Sequence, residues 1–145
     1  MVDLYCTQAN PMEIFHLKHD LKVFGFQVKT FPDGIGEAFD SLMKVVGEGF
    51  ARSYYAIAYM SEEGPVYRAT VAEKYDGEGA KYNYDSYTIE KGEYLSLRVN
   101  DWQQKTDMIK DVFDVLLQQK RADHSYPCIE WYKDENEMLC LVKAK

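Results

Sequence analysis

Several chemistries are excluded by what this chain of 145 residues lacks. Its three cysteines, Cys6, Cys128 and Cys140, are an odd number with wide spacing and no C-x-x-C pair, so neither a disulfide framework nor a zinc knuckle is indicated and reduced, buried thiols are expected. No apolar run approaches the roughly 20 residues that span a bilayer. The start, Met1-Val2-Asp3-Leu4-Tyr5, lacks the basic-then-apolar pattern of a signal peptide. A cytoplasmic location and no membrane partner are therefore expected. Positive charge is scarce: 17 Lys and Arg stand against 24 Asp and Glu, a formal charge of −7. A nucleic-acid surface would need clustered Lys and Arg, so direct nucleic-acid binding is not expected.

Catalytic and metal signatures are also sparse. His16 and His19 form an H-x-x-H spacing with no further ligand at matching distance, and His124 has no evident partner, so no metal is expected. No Ser-His-Asp or Cys-His order can be defended. Asp76-Gly77-Glu78-Gly79 lacks the Lys and following helix of a phosphate loop and reads as a turn. No cofactor is implied.

What is present is a globular composition, 46% apolar and 28% charged, rich in aromatics with twelve Tyr, seven Phe and two Trp. The length suits a single domain. Residues 1–13 carry little periodicity and read as an N-terminal arm. Leu17 to Phe31 is strand-like, with Gly25 marking a bulge or a close backbone approach. Ile35, Ala38, Phe39, Leu42, Met43 and Val46 recur at three and four residues and predict a helix ended by Gly47. Ser53–Met60 and Pro65–Tyr75 predict a hairpin across Ser61-Glu62-Glu63-Gly64. Tyr87 to Val99 is strand-like again. Asp107 to Gln119 predicts a second helix, capped by Thr106 or Asp107, and Pro127–Lys133 with Glu137–Val142 a final hairpin.

The order β-α-β-β therefore occurs twice, over 17–75 and 85–145. Ile35-Gly-Glu-Ala-Phe39-Asp40-Ser-Leu42-Met43 matches Ile109-Lys-Asp-Val-Phe113-Asp114-Val-Leu116-Leu117 at a constant shift, 109 − 35 = 74. Neither unit can build a core alone. The expectation is an α+β fold in which duplicated βαββ units form an antiparallel sheet with two helices and a central cleft.

Cys128-Ile129-Glu130-Trp131-Tyr132 predicts a short strand. Alternation places Cys128, Glu130 and Tyr132 on one face and Ile129 and Trp131, expected against the core, on the other. The shift carries Glu130 back to Ala56 and Tyr132 back to Ala58, so small residues are expected to leave space opposite the carboxylate. An acid amid aromatic surface can attract a cation or an apolar molecule carrying one. Tyr55, Tyr59 and Tyr67 on the first hairpin, and Trp102 before the second helix, are candidates for stacking walls or for ordinary packing.

Four segments together resemble the GyrI-like small-molecule-binding family, the effector-binding domain of multidrug-responsive bacterial transcription activators. They are Tyr54-Tyr55-Ala56-Ile57-Ala58-Tyr59, Val66-Tyr67-Arg68-Ala69-Thr70-Val71, Thr88-Ile89-Glu90-Lys91-Gly92-Glu93-Tyr94 (like x-I-P-x-G-x-Y, without its proline) and Ile129-Glu130-Trp131-Tyr132 (like x-E-x-Y). The resemblance covers about residues 17–145. It implies a duplicated βαββ fold that binds hydrophobic, often cationic compounds in a central cleft. Glu130 would be the acid that meets the cation, with Tyr132 as the motif tyrosine and Tyr94 lining the cleft. No helix-turn-helix is evident, so a stand-alone binding protein, monomeric or weakly dimeric, serving sequestration or sensing is expected. Two alternatives carry weight. Some members of the family hydrolyse reactive electrophiles, in which case Glu130 would be the general base with Tyr132 beside it. Others inhibit a partner protein, for which the acidic balance would suit a basic surface.

Overall fold

The computed structural model describes residues 11–145. The chain order is β1 (Glu13–Leu17), β2 (Leu21–Gln27), α1 (Ile35–Val46), β3 (Tyr54–Ser61), β4 (Gly64–Ala72), α2 (Glu78–Lys81), β5 (Asp85–Ile89), β6 (Gly92–Asn100), α3 (Ile109–Leu117), β7 (Cys128–Tyr132) and β8 (Glu137–Lys143). Short 3₁₀ turns occupy Gly49–Ala51, Trp102–Gln104 and Thr106–Met108. The expected arm over residues 1–13 falls almost wholly outside the described residues, as does Cys6; Glu13 itself opens β1.

Among the described residues the strands form one antiparallel sheet in the order β1-β6-β8-β7-β3-β4-β2-β5, curled into a half-barrel. The α+β fold and its duplication are thus as expected. The central six strands are palindromic: β6, β8 and β7 mirror β2, β4 and β3 about the β7–β3 contact. At that contact Ala56 pairs with Glu130, the residues also related by the shift of 74, so the pseudo-twofold axis passes between them.

The edges differ from the expectation. The strand-like stretch Tyr87–Val99 is two strands, β5 and β6, and a separate β1 precedes β2. Gly92, at φ 136, opens β6 with a backbone turn that L side chains rarely adopt. Each half is therefore β-β-α-β-β, and the two first strands are exchanged: β1 of the first half pairs with β6 of the second, and β5 of the second pairs with β2 of the first. Gly25 is a close-approach glycine, since a Cβ there would lie 1.9 Å from the carbonyl oxygen of Ala69 on the paired strand β4.

Helix α1 packs across β4 and α3 across β8, again as symmetry mates. Their apolar faces (Ala38, Leu42 and Val46; Ile109, Val112, Phe113 and Leu116) bury against one face of the sheet. The main core lies there, with Tyr54, Ala56, Tyr67, Leu95, Tyr132, Met138 and Cys140. Glu130 and Tyr132 point into this helix-covered layer, because Ala56, Met138 and Cys140 opposite them do so too. Among the described residues the Ile129/Trp131 face carries a smaller cluster, with Tyr55, Ile57, Tyr94 and Leu141, and Trp131 is half-buried. The main core is thus on the face opposite to the one expected from the strand alone.

Two local expectations are corrected. Helix α3 starts at a Met108 N-cap with no side-chain cap from Thr106 or Asp107, because a 3₁₀ turn over Thr106–Met108 leads directly into it. The Asp76–Gly79 run is more than a turn: Gly77 caps the one-turn helix α2 and Glu78 is buried. There Arg52 Nη2 donates to Glu78 Oε1 at 2.8 Å, Arg52 Nη1 to Glu78 Oε2 at 3.0 Å, and the Lys74 amide to Oε1 at 2.8 Å. Burial pushes the Glu78 carboxyl up, but these donors outweigh it and hold the group below the ordinary glutamate value.

Candidate functional site

Directly opposed residues of antiparallel strands share a face. The row through Glu130 runs Cys140, Glu130, Ala56, Ala69, so the carboxylate is flanked by small side chains. The next row is Cys128, Ala58, Tyr67, and the row on the other side is Met138, Tyr132, Tyr54, Val71. Space over small residues and phenols beside it follow from register alone.

That space is a cavity of about 1050 Å³ between the sheet and the two helices. Glu130 lines it, together with Tyr54, Tyr67, Tyr132, Ala58 and Cys128 from the sheet. Phe39 of α1, Phe113 of α3, Phe31 and Trp102 supply its aromatic walls. Phe31 stacks on Tyr67 with ring centroids 4.8 Å apart and planes at 11°. Phe39 and Trp102 meet the Tyr132 ring edge-on at 5.3 Å and 4.7 Å. The Trp102 indole is held by a hydrogen bond from Nε1 to the Asp134 carbonyl at 2.9 Å.

Glu130 is 8% exposed. The Tyr67 and Tyr132 hydroxyls each donate to its Oε1 at 2.6 Å, whereas Oε2 accepts no hydrogen bond among the described residues. No Lys or Arg forms an ion pair with it among those residues. Burial raises its pKa, and the two phenolic donors pull back only part of that rise. Burial and the neighbouring carboxylate push the Tyr132 phenol well above its ordinary value, and Tyr67 likewise. Burial, with Glu130 second, pushes the Cys128 thiol up to about 11, which keeps it protonated and a poor nucleophile near neutral pH. The arrangement is a desolvated acid with one oxygen anchored by phenols and the other unpartnered among the described residues, inside an aromatic cavity.

Of the residues singled out from sequence, Glu130, Tyr132, Tyr67 and Trp102 are brought together here. Tyr55, Tyr59 and Tyr94 are not: all three lie on the opposite face. Tyr55 and Tyr59 alternate with Ala56 and Ala58, which face the cavity. Tyr94 packs with Ile129 and Trp131 and donates to the Glu90 carbonyl at 2.5 Å, and Tyr59 accepts from Arg68 at 3.0 Å. Phe31, Phe39, Phe113 and Tyr54 were missed. The first three lie in or near the two matched helices, and Tyr54 shares the alternation of Ala56, so the repeat and the strand period carried the signal for all but Phe31. Among the described residues no cluster of three or more His, Cys, Asp and Glu could hold a metal ion; His16 instead lies 3.7 Å from Glu93 on the surface. No helix of the described residues is long and apolar enough to cross a membrane.

No sequence-family description and no curated protein matches this chain. Solved structures do match its fold. An integron cassette protein from the mobile metagenome of Vibrio cholerae aligns at TM-score 0.69 and 13% identity, covering 94% of this chain and 97% of that one. SAV2435, solved bound to tetraphenylphosphonium, aligns at TM-score 0.67 and 14% identity over 94% of each chain. A protein from Staphylococcus aureus MU50, described provisionally as a bacterial transcription regulation protein, aligns at 0.57 and 14%, over 94% and 99%. At these identities the likeness is one of fold alone.

Proposed function

We propose that this protein binds a hydrophobic, cationic small molecule in the cavity between sheet and helices, with Glu130 meeting the positive charge, and that binding serves sequestration or sensing. The observation that carries the reading is the buried Glu130 carboxylate, whose Oε2 has no partner among the described residues and which lines an aromatic cavity. Ionising an acid there is costly because water is replaced by apolar surface. A ligand cation offsets that cost, and rings around it add cation–π attraction. Tyr67 and Tyr132 hold Oε1 and so aim Oε2. Trp102, Phe39 and Phe113 are the walls for the apolar groups. That SAV2435, a structure of like fold, was solved with tetraphenylphosphonium supports the same ligand class.

At an effective dielectric of about 20 and about 5 Å, the charge pair is worth about 3 kcal/mol, so Glu130→Gln should weaken a monocation by roughly 100-fold. The test is thermal denaturation with tetraphenylphosphonium and with neutral triphenylphosphine oxide. At 100 times its Kd a ligand stabilises by about 2.7 kcal/mol, a rise of about 5–10 °C for a chain of this size. The cation should raise the melting temperature of the wild type and lose most of that effect in Glu130→Gln, while the oxide changes little. Equal losses for both compounds contradict the reading.

A further inference from the structure

Resting on that reading, we infer that the cavity is built for an elongated dication, with one centre at Glu130 and a second between Asp40 and Asp114 at the mouth. Both aspartates line the cavity and are exposed. They are symmetry mates under the shift of 74, one on each helix. Asp33 and Asp107, a second related pair, line it too, and among the described lining residues Lys110 carries the sole positive charge. None of the four aspartates forms an ion pair among the described residues. Asp33 and Asp107 precede the helix N-caps Gly34 and Met108, where the positive ends of the helix dipoles offset their charge. Asp40 and Asp114 are the sixth residue of each helix, beyond the reach of that effect, and although Lys44 and Lys110 stand one turn from them on the same helices, neither pair is closed into an ion pair among the described residues.

The geometry sets the shape of the ligand. Glu130 lies beside the pseudo-twofold axis on the cavity floor, paired with its own mate Ala56. Asp40 and Asp114 flank the same axis on the two helices that cover the sheet, at the exposed side of the cavity. A ligand lying along the axis thus meets one carboxylate at the floor and two at the mouth. The volume of about 1050 Å³ lies at the top of the ~300–1,000 Å³ typical for drug-sized ligands. It leaves room for a body longer than a single-centre onium ion.

The probes are decyltriphenylphosphonium and a bis(triphenylphosphonium) joined by a ten-carbon chain, titrated calorimetrically into the wild type, Asp40→Asn/Asp114→Asn and Glu130→Gln. The expected result is one dication per chain, bound about tenfold more tightly than the monocation. That advantage should vanish in the double aspartate variant, whose monocation affinity stays within about twofold of wild type, and Glu130→Gln should weaken both probes. Exposed Asp→Asn changes leave the core untouched, and unchanged thermal melts without ligand will confirm intact folding. Monocation binding with no dication advantage, or an advantage that survives the double substitution, overturns the inference and leaves the underlying reading standing. Failure of the wild type to bind either probe overturns both.

Discussion

Replacing Glu130 by Gln is expected to strengthen the empty protein while weakening cation binding. The carboxylate is 8% exposed and forms no ion pair among the described residues. Its charged form is held by two phenolic hydrogen bonds, both on Oε1. Gln Oε1 can accept the same two, at the lower strength of neutral bonds. Against that loss stands the removal of a desolvated charge, whose penalty is several kcal/mol before compensation. The upward direction of the Glu130 pKa means that compensation is incomplete. A net gain of about 1–2 kcal/mol is expected at neutral pH, or a melting temperature higher by about 3–6 °C. The pH dependence fixes the sign. A carboxyl whose folded pKa lies above its unfolded value of about 4.5 favours folding fully below the unfolded pKa, and that contribution is lost as pH rises through the folded pKa. Wild type and variant should therefore converge near pH 4.5 and diverge as pH rises, with the variant more stable. Urea and thermal denaturation without ligand, stepped from about pH 4.5 to 8, measure this. A variant less stable at every pH by a constant amount would show that the carboxylate is a net stabiliser and refute the reasoning.

Three other perturbations follow from the same geometry. Tyr67→Phe and Tyr132→Phe each remove a donor from the ionised carboxylate, a bond of about 1.5–3 kcal/mol. Calorimetry across pH should show weaker cation binding at neutral pH with recovery at higher pH, as the Glu130 pKa rises further. Gly25→Ala drives a Cβ to 1.9 Å from the Ala69 carbonyl oxygen and should cost about 1–3 kcal/mol in urea denaturation. Arg52→Met strands the buried Glu78 carboxylate and should cost about 3–5 kcal/mol, most of it regained in Arg52→Met/Glu78→Leu. The stability from Glu78, whose pKa is held down, is present above about pH 4.5 and lost as pH falls through the folded value, so the Arg52→Met deficit should shrink in acid.

Much of the fold and part of the site could be read from residues alone. The spacing of Ile35, Ala38, Leu42 and Val46 predicted α1, and the 74-residue shift predicted its mate. The same shift placed Ala56 opposite Glu130, which is their register in the sheet. Choice of strand partners was not legible, because local alternation says how a strand faces but not whose edge it joins; the exchange of β1 and β5 is therefore a structural finding. The misplaced tyrosines have a simpler cause. Once Ala56 is set against Glu130, the strand period of two sends Tyr55 and Tyr59 to the other face, a constraint available in the sequence. Tyr94 was placed by resemblance alone, and its side chain follows Leu139 and Leu141 of neighbouring β8 instead. Glu78 read as part of a turn because its partner Arg52 is 26 positions away, and no local pattern couples them.

The most direct test of the central claim is a crystal structure of the protein with tetraphenylphosphonium. The account predicts the phosphorus atom in the helix-covered cavity, about 4–6 Å from Glu130 Oε2, with phenyl groups against Phe39, Phe113 and Trp102. A ligand seated instead on the opposite face, against Tyr55 and Tyr94, or in the cavity with its cationic centre turned away from Glu130, would contradict it.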